Sequence, residues 1–304
     1  MRYESLLHAI GHTPLVRVPF DVPPRIYAKL EYISPGGSIK DRSAYFMVQQ
    51  AEKEGVLQPG GTIIEASSGN QGIAAAMIGA AKGYKVIITT TEKVSKEKWD
   101  TLTAYGAEVV ICKPTLDLHD PEGYYEVARR IHEQTPNSLF MAQYFNQNNP
   151  LGHYYSLGPE IWDQTGGQLT HFIGAVGSCG TVGGAGRYIK ERNPNVAVVG
   201  VDSATSYRST GGNPKPYKLE GIGVDSDSPL LEQAPIDEII GVHDDDVFPI
   251  MKRLAREYGF LVGPSSGAVA YAAYEYAKNL SPDDFVVIVF GDSGRAYLTK
   301  GFYN

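Results

Sequence analysis

Short, nearly continuous runs of Val, Ile and Phe alternate along this chain with segments of helical period, and that rhythm leaves few folds open. Thr62-Ile63-Ile64-Glu65 reads as a buried strand, Ala66–Gly69 as a turn and Gly72–Lys82 as an Ala-rich helix. Lys85–Thr90 is a second strand, Ser95–Tyr105 a second helix and Glu108–Cys112 a third strand. Strand-helix-strand-helix-strand in so short a span is a doubly wound lobe, because neighbouring parallel strands need a crossover and a helix supplies it. Phe172–Val176, Ala197–Asp202 and Phe285–Phe290 are apolar almost throughout, as strands covered on both faces are. Helical patterns at Gly184–Arg192 and Asp246–Tyr258 separate them. The expected fold is α/β, with two doubly wound three-layer lobes of mostly parallel sheet around one cleft. The chain is expected to cross between lobes near Asp41–Tyr45 and Asn146–Pro150. That puts residues 1–40 and 147–304 in a larger lobe and 41–146 in a smaller, mobile one.

The bulk numbers narrow the function. A net charge of −7 with no basic run of five argues against a nucleic-acid footprint. The longest apolar stretches, such as Ile73–Ala81, fall far short of a membrane span, and Met1–Ser5 lacks the apolar core of a signal peptide. Cys112 and Cys179 stand far apart and form no disulfide or metal pattern, which suits reducing cytosol. A cytoplasmic protein without a membrane partner is expected. His243-Asp244-Asp245-Asp246 has the composition of a metal cluster, but acidic residues at a helix start favour the helix dipole. The seven histidines show no ligand spacing, and no metal is expected.

Three loops carry chemistry. In Pro35-Gly36-Gly37-Ser38-Ile39-Lys40-Asp41-Arg42, a lysine follows a turn of small residues and precedes a pair able to begin a helix. A lysine partly desolvated in such a pocket loses basicity and forms Schiff bases. Gly177-Ser178-Cys179-Gly180-Thr181-Val182-Gly183-Gly184 lies between a buried strand and a helix, where backbone N–H groups and hydroxyls suit a phosphate dianion. The run is neither a P-loop nor a clean Gly-x-Gly-x-x-Gly, and no acidic residue is read at the ribose distance in a following strand. Ser67-Ser68-Gly69-Asn70-Gln71-Gly72 offers hydroxyls and amides at a helix start, an uncharged cradle for a carboxylate, although Ser67 or Ser68 could equally cap the helix. Gly263-Pro264-Ser265-Ser266-Gly267 reads as another helix start. An amine, a phosphate cradle and a carboxylate cradle together suit pyridoxal 5′-phosphate and an amino-acid substrate.

With these motifs in place the chain resembles the fold-type II pyridoxal 5′-phosphate enzymes, which are tryptophan synthase β-like, in the branch of cysteine synthase and cystathionine β-synthase. The likeness runs from Ile10-Gly11-His12-Thr13-Pro14-Leu15 to Tyr297-Leu298-Thr299-Lys300. It implies Lys40 as the Schiff-base lysine and Asn70 as partner of the cofactor's phenolic oxygen. It also implies Gly177, Ser178, Cys179, Gly180 and Thr181 as the phosphate loop, and Ser265 at the pyridine nitrogen. Ser67, Ser68, Gln71 and Gln143 match positions around the substrate carboxylate. A serine at the ring nitrogen cannot keep it protonated as a carboxylate would, which favours β-elimination over transamination. The implied reaction is β-replacement on serine or O-acetylserine through an aminoacrylate. Tyr144, Glu220-Gly221-Ile222-Gly223, Glu92-Lys93-Val94-Ser95, Asn149–Tyr154 and Asp292–Lys300 resemble cystathionine β-synthase more than cysteine synthase. Tyr144 and Glu220 are therefore expected to help receive an amino-acid thiol such as homocysteine. The alternatives are cysteine synthase with sulfide, cysteine β-elimination releasing hydrogen sulfide with lanthionine as by-product, and a catalytically silent binding homologue. Gln71 stands where the family has threonine, Ser34 where it has asparagine and Cys179 where it has glycine. The resemblance further implies a homodimer, and no haem or adenosyl-ligand switch is expected.

Overall fold

The computed structural model describes residues 2–304 apart from Ser68, Lys93, Leu116, Asp117 and residues 225–227. Strands β1 (Leu15–Arg17) and β2 (Arg25–Leu30) lead into helix α1 (Lys40–Lys53). Then come β3 (Thr62–Ala66), α2 (Asn70–Lys82), β4 (Lys85–Thr91), α3 (Lys96–Ala104), β5 (Glu108–Cys112), α4 (Tyr124–Gln134) and β6 (Ser138–Phe140). Helices α5 (Asn148–Tyr154) and α6 (Leu157–Gln164) precede β7 (His171–Ala175), α7 (Gly180–Arg192) and β8 (Ala197–Ser203). The chain continues through α8 (Pro229–Glu232), β9 (Glu238–Val242), α9 (Asp244–Tyr258), α10 (Pro264–Ala277) and β10 (Phe285–Phe290) to a 3₁₀ segment, Gly294–Lys300.

The strands form two sheets, one in the order β1-β2-β10-β7-β8-β9 and one in the order β5-β4-β3-β6. Every pairing is parallel except the β1–β2 edge. The molecule is thus two α/β lobes. All six residues of β10 are buried, as its Phe-Val-Val-Ile-Val-Phe sequence requires of a strand inside a covered parallel sheet. No helix among the described residues is long and apolar enough to cross a membrane.

Most expected elements agree with the structure to within two residues, but α7 begins at Gly180 rather than Gly184. Its glycines lower helix propensity, which hides the start. Packing explains them: a Cβ on Gly184 would sit 2.0 Å from the Pro150 carbonyl oxygen of α5. The helix N-terminus therefore lies inside the expected phosphate loop. The second correction concerns the cap of α2. Its N-cap is Gly69, and the Ser67 hydroxyl accepts the Gly69 N–H at 3.1 Å instead of serving as the cap. A third concerns acidic residues after the phosphate loop. Asp202 does lie in the next strand, β8, but its carboxylate is taken by Ser206, Ser209 and the Val224 N–H. Asp244–Asp246 form the first turn of α9, as expected, and Asp244 accepts the backbone N–H groups of Lys218 and Leu219.

Candidate active site

The site is assembled at the carboxyl ends of β3, β7 and β10, where open parallel sheets bind their ligands. Lys40 opens α1, and a buried ion network holds that helix. The Arg42 guanidinium donates to Glu31 at 2.6 and 2.9 Å and to Glu160 at 2.7 and 2.8 Å. Lys29 completes the cluster, donating to Glu160 at 2.7 Å and to the Thr13 carbonyl at 2.6 Å. Burial opposes ionisation of Glu160, yet Arg42 and Lys29 outweigh it and hold the carboxyl down to about 2. The preceding turn is closed from both sides. Gly36 N–H donates to Asp41 at 2.6 Å, and Ile39 N–H donates to the Gly291 carbonyl just beyond β10 at 2.8 Å.

Lys40 thereby reaches across to β7's loop, its Nζ donating to Ser178 Oγ at 3.0 Å. Burial pushes this amine below the usual lysine range, against the pull of Glu65, Cys179 and Asp292. Ser178 Oγ also accepts from Asn149 Nδ2 at 3.1 Å. The next residue, Cys179, is the N-cap of α7 at φ 61°, ψ 6°, a left-handed conformation that suits the family's glycine better than a cysteine. Burial raises its thiol to about 12, so it is a packing residue rather than a nucleophile. The first amides of α7, from Gly180 and Thr181 onward, have no carbonyl one turn back and face outward as anion donors. Lys40, Gly177, Ser178, Cys179, Gly180, Thr181 and Ser265 line one small cavity of about 50 Å³.

Beside that small cavity lies a cleft of about 1090 Å³ lined by residues that include Lys40, Ser67, Asn70, Gln71, Gln143, Tyr144 and Glu220. Gln71 is 1% exposed; its Oε1 receives Ser43 Oγ at 3.5 Å, and its Nε2 has no hydrogen-bond partner. A buried amide donor left unpaired beside a cleft is a place for an anionic oxygen. Gln143 is buried, with its carbonyl held by Asn149 Nδ2 at 2.8 Å, and Tyr144 is half-buried. Ser68 lies outside the described residues. Glu220 pairs with Lys98 at 2.7 Å and with Lys300 at 3.2 Å.

The structure adds residues that the sequence reading passed over. Asn70 Nδ2 donates to Asp292 Oδ2 at 2.7 Å, and the Tyr297 hydroxyl donates to the same oxygen. Glu65, in the otherwise apolar strand β3, is fully buried. Burial raises it to about 8, while Lys40 and the Ala142 and Gln143 amides pull the other way. A lone carboxylate in an apolar run was the available signal for it. Asp292, two residues past the end of a strand buried along its whole length, offered the same kind of signal. Among the described residues no group of three or more His, Cys, Asp or Glu is disposed to hold a metal.

These residues fit pyridoxal 5′-phosphate. A depressed amine adjoins a slot kept open by glycines. A Cβ on Gly221 would come within 3.3 Å of Ser265 Oγ and one on Gly291 within 3.8 Å, so side chains there would fill the space before the serine.

Comparison with known proteins agrees with that chemistry. The chain is 42% identical over 301 residues to a probable cysteine synthase of Bacillus subtilis, covering 97% of this chain and 96% of that protein. It is 40% identical over 305 residues to cystathionine beta-synthase of Apis mellifera, covering 97% of this chain but only 60% of that longer protein. The solved structure of an O-acetylserine dependent cystathionine beta-synthase from Helicobacter pylori superposes with a TM-score of 0.93 at 36% identity over the whole of both chains. A family model described as pyridoxal-phosphate dependent enzyme matches residues 6–292, and the chain belongs to that family, among enzymes of the cysteine synthase and cystathionine β-synthase type.

Proposed function

We propose that this enzyme performs β-replacement on serine or O-acetylserine with an amino-acid thiol, homocysteine being the natural candidate, to form cystathionine. The observation that carries this reading is Glu220, held between Lys98 and Lys300 inside the 1090 Å³ cleft. An amino-acid thiol brings an ammonium for Glu220 and a carboxylate for the lysines, whereas sulfide needs neither the room nor the charges. The H. pylori protein of the same fold is described as an O-acetylserine dependent cystathionine beta-synthase, which supports the same reading.

In this reading residues 1–40 and 147–304 hold the cofactor and residues 41–146 close over the substrate. Lys40 would hold the cofactor through its amine, the amides and hydroxyls of Gly177–Thr181 would hold its phosphate, Asn70 would meet its phenolic oxygen and Ser265 its ring nitrogen. Pyridoxal 5′-phosphate, when bound, supplies the electron sink that departure of the Cα proton and the β-substituent requires. Ser67, Ser68, Gln71 and Gln143 orient the donor's carboxylate with uncharged donors, Gln71 Nε2 being the one already buried and unpaired. Lys40 Nζ, freed once the donor's amino group has taken its place, would then take the Cα proton, and burial lowers its basicity. Tyr144 and Glu220 face the incoming thiol.

Steady-state rates with O-acetylserine and either homocysteine or sulfide test the proposal. Homocysteine should be preferred, and Glu220→Gln should lose rate with homocysteine while keeping it with sulfide. A strong sulfide preference in the parent enzyme overturns the reading. It would favour the second one, cysteine synthase, which the name of the Bacillus subtilis relative supports.

A further inference from the structure

We propose that Asp292 is a positioning residue for the cofactor: its carboxylate turns the Asn70 amide so that an N–H is presented to the phenolic oxygen, and it places a negative charge behind that contact. The inference rests on the assignment of Asn70 to that oxygen.

Asp292 is itself rigidly placed. It follows β10, and its carbonyl accepts the Gly263 N–H at 3.0 Å while its backbone pairs with Ser38 in the turn before Lys40. Its residue exposure is 2%. Oδ2 receives Asn70 Nδ2 and the Tyr297 hydroxyl, while Oδ1 is buried with no partner at all. The carboxyl packs directly on Gly263, where a Cβ would lie 2.0 Å from Oδ1. So much burial for a carboxylate with an unsatisfied oxygen is costly, and folding alone would be served better by a neutral residue.

Burial raises the Asp292 carboxyl above its ordinary range while Lys98, Tyr297 and Asn70 pull it back down, and in its ionised form a carboxylate only accepts hydrogen bonds. It therefore forces Asn70 to turn its nitrogen, not its oxygen, inward. One Nδ2 hydrogen is spent on Asp292, and the second remains for another acceptor. A hydroxyl or amide in place of Asp292 would allow either amide orientation. The contact also crosses the cleft, because Asn70 opens α2 of the four-stranded lobe and Asp292 follows the central strand of the other. The ionisable groups that act on this cluster are Lys40, Lys98, Glu220, Tyr297 and Tyr303. Lys98 Nζ lies 4.3 Å over the Tyr297 ring, and its positive charge pulls the Asp292 carboxyl down.

The test is a pH titration of the visible band of the enzyme reconstituted with pyridoxal 5′-phosphate, alongside thermal unfolding of the cofactor-free chains. A neighbouring anion favours the protonated form of a titrating group, so Asp292→Asn should lower the band's midpoint by at least about half a pH unit. In an Asn70→Ala background the same substitution should move it by less than about a third as much, since coupled residues are not additive. An unmoved midpoint in a chain that melts like the parent overturns the inference, as does an equal shift in both backgrounds. Should Asp292→Asn fail to fold, Asp292→Ser serves instead. It removes the same charge and should lower the midpoint likewise, and a midpoint that stays or rises counts against the role. If Asn70→Ala alone leaves both spectrum and cofactor affinity unchanged, the Asn70 assignment is what fails, and the Asp292 role falls with it.

Discussion

Glu160→Gln tests whether the lysine-bearing helix owes its position to buried charge. The parent carboxyl sits at about 2 against an ordinary 4.5. At about 1.4 kcal/mol per unit, that gap of about 2.5 units is worth about 3 kcal/mol of folding stability. A second route gives the same size: removing one partner of a buried pair costs about 3–5 kcal/mol, because the remaining charge is stranded. Here Lys29 and Arg42 would face Glu31 alone, and with 17% of the Glu160 side chain exposed the lower end of the range applies. The sign follows from the depressed acidity. The stabilisation is complete above 4.5, the unfolded value, and disappears as pH falls through about 2. Urea unfolding of the cofactor-free chain, followed by far-UV circular dichroism from neutral pH down to acid, should therefore show two things. The variant should be weaker by about 3 kcal/mol at neutral pH, and the two chains should converge in acid. A deficit below about 1 kcal/mol at neutral pH, or one that does not change with pH, refutes the idea that this network anchors α1.

Three further outcomes follow from the site. Gln71→Ala removes the unpaired buried amide and should raise KM for the amino-acid donor by about 10- to 100-fold in steady-state assays, the worth of a hydrogen bond to a charged group. Glu65 keeps its proton to about 8 in the fold but to only 4.5 when unfolded. The parent should thus lose stability as pH rises from 5 to 8, on the order of several kcal/mol, and Glu65→Gln should abolish that slope in denaturant titrations across this range. Burial raises both thiols, so the folded chain should resist alkylation at neutral pH and take up label at Cys112 and Cys179 only in denaturant, as read by mass spectrometry.

What could be read from the sequence was whatever lies consecutively along it. Strands β4 and β10 announce themselves because each is dominated by β-branched or aromatic residues. Strands β1 and β6, three residues each, are too short to show a period. The start of α7 was hidden because its glycines are chosen for contact with α5, which no local propensity reports. The site divides in the same way. Lys40 and the phosphate loop are contiguous motifs and were visible. Asn70 and Asp292 meet across 222 residues, and Asn149 reaches Ser178 across 29, so only the fold brings them together. Glu65 was present in an expected strand, but its significance depends on facing Lys40 and Gln143 from inside the lobe.

The charges at the cleft mouth bear on which second substrate the proposed reaction takes. Glu220 meets Lys98, a side chain only 3% exposed, and Lys300, which is 30% exposed. A ligand that captured Glu220 through an ammonium alone would strand a buried lysine, at a cost that one new ion pair does not offset. A zwitterion avoids this cost, since its carboxylate can take over the lysines as its ammonium takes the glutamate, and the number of paired charges is unchanged. Sulfide can do neither and would leave the pair intact. In the proposed reaction the donor would be met differently, by the neutral amide of Gln71 and the hydroxyl of Ser67, so the two amino acids need not compete for one set of contacts. Lys98 belongs to α3, and that helix also grips the 3₁₀ segment, through Glu97 to Thr299, with its N-cap Ser95 bonded to the Ala296 carbonyl. Exchange at Lys98 therefore acts on one of three adjacent ties between the lobes. In the proposed reaction a thiol-bearing amino acid would enter there while the other two ties keep the lobes together around the donor.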